Sequence, residues 1–538
     1  MSKRAHAWAA AFFLLLAIAL AACGAGAGAD SRQTVKIAVP NSKFIQNIET
    51  NYYARWLEEQ SGLNIEFVFI SETNTEEYLR LLFSSVGSEL DAVFFSPELY
   101  LSHEVLQQYG EQGYILPLNA YVEAGETRLS EVFDGFHDYD LRAAMTAADG
   151  KLYYMPSLNT AQLSQNRQVL WMNTDWVKAL GLSLPQTTED FREVLEAFQT
   201  GDPNRDGRKN EIPIAASAAS DATEICTFLI NAFTYYDPQT SGLAVVDGRV
   251  VFTPATDEYR AAMVYLNSLY ADGLLDFYNF DLSQSQFRQM VNDPRNMVGC
   301  FTSGSITDVI YRSSTDVLSN YIHVPPLAGP SGGRYAQPTT ALPIPGGVIT
   351  ATCQNPQAVF RLMDLMLSEE ASLIACYGEQ GVDWDFAATG DIAITGGRAV
   401  LNVKTRLGNT LQNKHLDGIG PLVIREEYAD YVNWSGMEAD NEYLNGRAAV
   451  SYQPYEPKEN LPLILLETEN SQGFQETRRA IEAYGREMLT AFVTGEKDAT
   501  SDAVWQQFVD GYEQLGLQGF IGTVQAAYDY LLEWRETH

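Results

Sequence analysis

Between Thr34 and Phe95 short apolar runs alternate with helical stretches, and that alternation leaves few folds open to the chain. Thr34-Val-Lys-Ile-Ala-Val39 has a strand pattern that stops at Pro40, and the stretch after it places Ile45, Ile48, Tyr52 and Trp56 on one helical face. Asn64 to Ile70 predicts a second strand, Glu76 to Ser85 a second helix and Asp91 to Phe95 a third strand. Strands separated by helix-length crossovers pair in parallel, because the chain must travel back along the sheet before it starts the next strand. In such sheets ligands bind beyond the carboxyl ends of the strands, here at Asn41-Ser42 and Ser96-Pro97-Glu98.

At 538 residues the chain is long enough for two or more domains. Gly150 to Pro156 combines a turn with a short aromatic run and predicts a crossing from a first lobe to a second, which opens with a strand at Gln168 to Met172. Asp175 to Gly181 is a helical turn closed by glycine. Thr187 with Asp190 is a capping-box-like start for a helix carrying Phe191, Val194, Leu195 and Phe198. Helices are predicted at Tyr259 to Tyr270, Gln286 to Val291 and Pro356 to Leu367, with a buried strand at Met297 to Phe301. Residues 323–348, rich in Pro and Gly, read as a return crossing or surface excursion. Residues 385–470 show no readable periodicity, whereas Trp505, Phe508, Val509, Tyr512 and Leu515 hold helical spacing.

The stretch Asp202-Pro-Asn-Arg-Asp-Gly-Arg-Lys-Asn-Glu211 places oxygen-bearing side chains at Asp202, Asn204, Asp206, Asn210 and Glu211 around Gly207. Ca²⁺ takes about six to eight oxygens, and alternate residues of a tight loop can converge on one ion while a glycine permits the turn. The order matches the first half of an EF-hand loop, but the closing acid comes at the tenth position instead of the twelfth, so no helix-loop-helix sensor is implied. An ordinary solvated turn uses the same residue types, although five donors in register exceed what a turn requires.

Lys3 and Arg4 precede an apolar run from Ala7 to Ala22, shorter than a membrane-spanning helix, so residues 1–22 predict a secretory signal. The run ends in Leu20-Ala-Ala-Cys23, which resembles the bacterial lipobox; Cys23 is then the lipidated residue and 23–33 a flexible tether. Removal of residues 1–22 takes the net charge from −34 to −36, a field that disfavours nucleic acid and anionic membrane surfaces. The remaining cysteines, Cys226, Cys300, Cys353 and Cys376, form no C-x-x-C, and sparse buried thiols are as good a reading as disulfides. The six histidines show no zinc-binding spacing, and no nucleophile-elbow or phosphate-loop motif is present. Sixty-nine acidic residues contain many near pairs, none of which is singled out as catalytic.

The lipobox, the β-α-β start, Gly150 to Pro156, Asp175-Trp176 with Leu180-Gly181 and the acidic loop running into Glu211-Ile-Pro213 together resemble the large lipoprotein solute-binding proteins of carbohydrate ABC importers, alginate-binding proteins among them. Tyr377-Gly-Glu-Gln-Gly-Val-Asp-Trp384 and the tail residues Trp505, Tyr512, Leu515-Gly516 and Ala527-Tyr528 extend the similarity over the mature chain. The resemblance implies an α/β, two-lobed periplasmic-binding-protein-like fold of type II, each lobe a mainly parallel sheet flanked by helices, with hinge crossings and a helical C-terminus. Lobe 1 would comprise 34–150 plus about 310–375, and lobe 2 about 151–309 plus 376–538. The function it implies is capture of a carbohydrate, an oligosaccharide, in the cleft and its delivery to the membrane permease, without catalysis, by a monomer held outside the membrane on a Cys23 lipid such as palmitate. It also implies a structural Ca²⁺ held by Asp202, Asn204, Asp206, the backbone of Arg208, Asn210 and Glu211. Asn173 departs from the arginine that relatives often carry before the Asp-Trp pair. Competing readings are a surface carbohydrate-active enzyme and a peptide-binding or sensor lipoprotein.

A sugar offers apolar C–H faces and many hydroxyls, so its site needs aromatic platforms beside short polar groups. Trp56, Trp176, Trp505 and Trp534 fall on packed helical faces. That leaves Trp384, then Trp171, Trp434 and Tyr154, as platforms, with Asn41, Ser96 and Ser303 as hydroxyl partners.

Overall fold

The computed structural model describes residues 32–537 except 71–78, 80–82, 84–88, 97–98, 162–166, 276–281, 312–313, 406, 408–409, 436–440 and 468–471. The signal segment, Cys23 and most of the predicted helix Glu76 to Ser85 therefore lie outside the described residues. Strand β1 (Gln33–Val39) pairs in parallel with β2 (Leu63–Phe69) over its full length, and β3 (Ala92–Phe94) pairs in parallel on its other side. The crossover helix Tyr52–Ser61 starts where the Asn51 side chain accepts the backbone N–H of Tyr53 at 3.0 Å and stops at Gly62, whose φ of 69° is left-handed. It buries Tyr53, Ala54, Trp56 and Leu57 against the sheet.

Beyond this unit the chain weaves between two sheets. Strand β4 (Met155–Asn159) belongs to the first, and residues 160–168 lead to β5 (Val169–Asn173) of the second. The second sheet adds β6 (Ile212–Ile214), β9 (Val298–Ser303) and β10 (Tyr321–Val324), in the order β10-β5-β9-β6, while the hairpin β7 (Leu243–Val246) and β8 (Arg249–Phe252) stands apart. Residues 325–343 return the chain to β11 (Ile344–Ile349) in the middle of the first sheet, whose order is β14-β4-β11-β3-β1-β2, with β14 at Leu422–Ile424. The crossing predicted at Gly150 to Pro156 thus lies a few residues too early, since Met155 and Pro156 already open β4.

Both sheets are mixed: the first is mainly parallel, as expected, whereas in the second the expectation of mainly parallel pairing needs correction. Strand β11 is antiparallel to β3 and β4, and β5 is antiparallel to β9 and β10; β6 and β9 are parallel. The reason is topological: a strand arriving from the other sheet enters at the end where its neighbours leave, so it runs against them. The sheets also interleave more finely than the residue ranges assigned to the lobes, for β10 pairs with β5 and β11 pairs with β4.

The predicted capping box forms at the helix Thr188–Thr200, with Thr187 and Asp190 exchanging side-chain and backbone bonds. A third, three-stranded sheet of β12 (Trp384–Phe386), β13 (Leu401–Val403) and β15 (Val432–Asn433) occupies the stretch that the sequence left unread. The tail forms helices Gln472–Val493, Asp502–Gln514 and Leu517–Thr537, and Trp505, Phe508 and Tyr512 are buried at the predicted spacing. The four cysteines are free thiols, Cys226 and Cys300 buried. Among the described residues no helix is long and apolar enough to cross a membrane.

Candidate metal loop and intersheet cavity

The acidic loop connects the helix Thr188–Thr200 to β6, and its backbone turns through left-handed φ values at Arg205 (58°) and Gly207 (73°). These turns fold the side chains inward. Asp202 accepts the N–H groups of Asp206 and Gly207, each at 3.1 Å, and Asp206 accepts that of Arg208 at 2.8 Å. Carboxylate oxygens of Asp202, Asp206 and Glu211 lie within 4.8 Å of one another, although like charges repel at that range. The Asn210 amide donates to Asp206 at 3.0 Å, which leaves its Oδ1 buried with no donor, and Glu211 Oε1 is buried in the same state. A buried acceptor without a partner costs about 1–3 kcal/mol, and two of them beside converging carboxylates form a donor set of the kind a hard cation takes. Asn204 donates to the carbonyl of Arg295 and the N–H of Ile212 to that of Met297, so the loop is tied to the approach of β9 as well as to β6.

The residues predicted as sugar platforms are placed otherwise. Trp384 is only 2% exposed; its indole N–H donates to the carbonyl of Gly378 at 3.0 Å, and its ring forms a small core with Leu373, Leu401 and Val432. Trp434 is half-buried against the same cluster. Trp171 lies in β5 with strands on both sides, fully buried and edge-on to His323, and Tyr154 is buried against His103. An indole in a turn looks free in sequence, but chain from distant positions covers it. Ser303 is buried and donates to the carbonyl of Ser305 at 2.8 Å; Ser96 is buried beside Leu99; Asn41 is exposed after β1. Asn173 has a structural task, capping the helix Thr174–Ala179 and donating to the carbonyl of Val298 at 3.1 Å.

A cavity of about 810 Å³ lies between the chain that follows β6 and the helix Gln472–Val493. The chain leaving β6 reaches Ser220, Asp221 and Glu224 on one wall, and the Gln168 side chain, at the start of β5, holds this loop by bonds to the carbonyls of Asp221 and Glu224. Tyr236, Gln239 and Ser241 form a second wall, and Arg478, Ile481, Glu482 and Arg486 of the helix Gln472–Val493 a third. Tyr270 and Tyr512 contribute further rings, and Leu342, at the end of the return crossing, closes one side. Burial first, then the carboxylates of Glu224, Asp237, Asp221 and Glu482, push the Tyr236 phenol well above its ordinary pKa. These walls come from six separated stretches, and no local motif in the sequence marks them.

Comparison with known proteins gives a consistent picture. The family model for bacterial extracellular solute-binding proteins matches residues 40–372. The fructooligosaccharide ABC transporter substrate-binding protein FusA of Streptococcus pneumoniae serotype 4 is 26% identical over 491 residues, which are 88% of this chain and 86% of that protein. The structure of the FusA EF-hand mutant in complex with fructo-nystose covers 94% of this chain and 100% of its own at 22% identity, with a TM-score of 0.70. The alginate-binding protein AlgQ2 without calcium ion matches with a TM-score of 0.59 at 19% identity, over 94% of this chain and 100% of its own. The similarity to these structures establishes the two-lobed solute-binding fold.

Proposed function

The chain belongs to the bacterial extracellular solute-binding proteins, and we propose that it captures an oligosaccharide and delivers it to the permease of an ABC importer. The observation that carries this reading is the 810 Å³ cavity between the chain that follows β6 and the helix Gln472–Val493, where tyrosine rings stand beside carboxylates and amides. Ring faces take the apolar sides of a sugar, and carboxylate and amide oxygens take its hydroxyls. Kinship with a fructooligosaccharide-binding protein supports the solute class and the importer. In this reading the two lobes close about the crossings that link the two sheets; such closure sequesters solute and performs no chemistry. Calorimetric titration of the purified protein with an oligosaccharide panel tests the reading. One saturable site without sugar cleavage is expected; cleavage, or no binding by any member, refutes it.

The loop Asp202 to Glu211 holds Ca²⁺ in this reading, through Asp202, Asn204, Asp206, the Arg208 backbone, Asn210 and Glu211. The orphaned oxygens of Asn210 and Glu211 support it, as does the EF-hand of FusA. The bound ion would neutralise the carboxylates and pin the start of β6. Cys23 carries the lipid that keeps the protein at the cell membrane, and unchanged detergent-phase partitioning of a Cys23→Ser form would count against that.

A further inference from the structure

We infer that the cavity selects neutral oligosaccharides and turns uronates away. The inference rests on the reading of the cavity as a carbohydrate site and adds the charge of the solute, which kinship leaves open: the proteins compared above include binders of a neutral fructan and of alginate, a polymer of uronic acids.

Three carboxylates stand among the wall residues. Asp221, Glu224 and Glu482 line the space from two sides. Two arginine forks on this side, those of Arg478 and Arg167, are already engaged. Arg478 donates through Nε to Glu482 at 3.0 Å, through Nη2 to the carbonyl of Gln239 at 3.2 Å and through Nη1 to that of Leu466 at 3.4 Å. Arg167, behind the Gln239 wall, is forked onto the Gln239 amide and Asp237, the latter at 3.3 Å. Recognition of a carboxylate calls for a guanidinium presented edge-on for two parallel bonds, and a fork held by protein acceptors cannot present it. Arg486 adds a cation at the exposed rim. A uronate entering this space would bring its charge against the carboxylates, which discriminates by repulsion as effectively as a good contact discriminates by attraction. A neutral sugar instead donates hydroxyl hydrogens to the same oxygens, as charge-assisted bonds stronger than neutral ones.

The test is calorimetry at pH 7 on the full mature protein with size-matched sets: kestose, nystose, maltotetraose and xylotetraose against tri- and tetragalacturonate. At least one neutral sugar is expected to bind a hundredfold more tightly than either uronate. Asp221→Ala, at an exposed position, should weaken that sugar tenfold or more while the melting midpoint of the free protein holds. Glu482→Gln releases one hold on the Arg478 fork and should raise uronate affinity tenfold. A uronate bound as tightly as the best neutral sugar overturns the inference and leaves the importer reading standing. So does a neutral sugar whose affinity neither variant changes, since it must sit elsewhere. Silence from both classes removes the carbohydrate reading and this inference together.

Discussion

The loop 202–211 and the turn 378–384 are built from the same materials, acids and glycines in a short reversal, and they finish in opposite states. In the turn every strong group is matched: Asp383 accepts the N–H of Glu379 at 3.0 Å and lies 3.6 Å from the Lys414 ammonium, Lys414 pairs with Glu379 at 2.6 Å, and the Trp384 indole reaches Gly378. In the loop three carboxylates converge and two buried oxygens lack donors. The first arrangement is complete as protein alone, whereas the second leaves buried acceptors without donors. Composition does not separate a structural turn from a binding loop; the balance of donors and acceptors does.

The comparison breaks most visibly at Trp384. Removing a buried indole leaves a cavity, so Trp384→Ala should cost about 3–5 kcal/mol, read as a fall in the denaturant midpoint, with no effect of calcium on the loss. If the variant instead keeps its stability and loses solute affinity, Trp384 belongs to a binding site. In the loop, calcium at a hundred times its dissociation constant should stabilise the protein by about 2.7 kcal/mol. Melting with calcium and with chelator should differ, and Asp206→Ala should erase the difference; equal melting in the wild type would make the loop an ordinary turn. Asp383→Ala sharpens the contrast at smaller scale. It leaves the Glu379 N–H without its acceptor and Lys414 with Glu379 alone, a loss of about 1–3 kcal/mol that should be the same with calcium as without.

The legible parts of the sequence were those whose partners are close in the chain. The first three strands, the Asn51 to Gly62 helix and the Thr187–Asp190 box follow from local pattern, and so does the loop, because all its donors fall within ten residues. Strand β11 was hidden in a Pro- and Gly-rich stretch because Gly346 and Gly347 serve close packing: a Cβ on Gly346 would meet Pro421 at 2.8 Å. Trp384 looked exposed because Leu401 and Val432, which cover it, come from a region without periodicity. The cavity joins residues as far apart as Asp221 and Tyr512, and a pattern read along the chain does not bring them together.

The central place of β11 bears on how the protein can be made. Strand β11 alone joins the β3-β1-β2 side of the first sheet to the β4 side, so that sheet is two fragments until residue 349 has arrived, and its edge strand β14 waits for residue 424. A nascent chain emerging N-terminus first can pair β1, β2 and β3 early, but it completes the first sheet only through contacts that span most of its length, which slow folding. For a chain threaded across a membrane as an extended polymer, that delay keeps it threadable until almost all of it has passed.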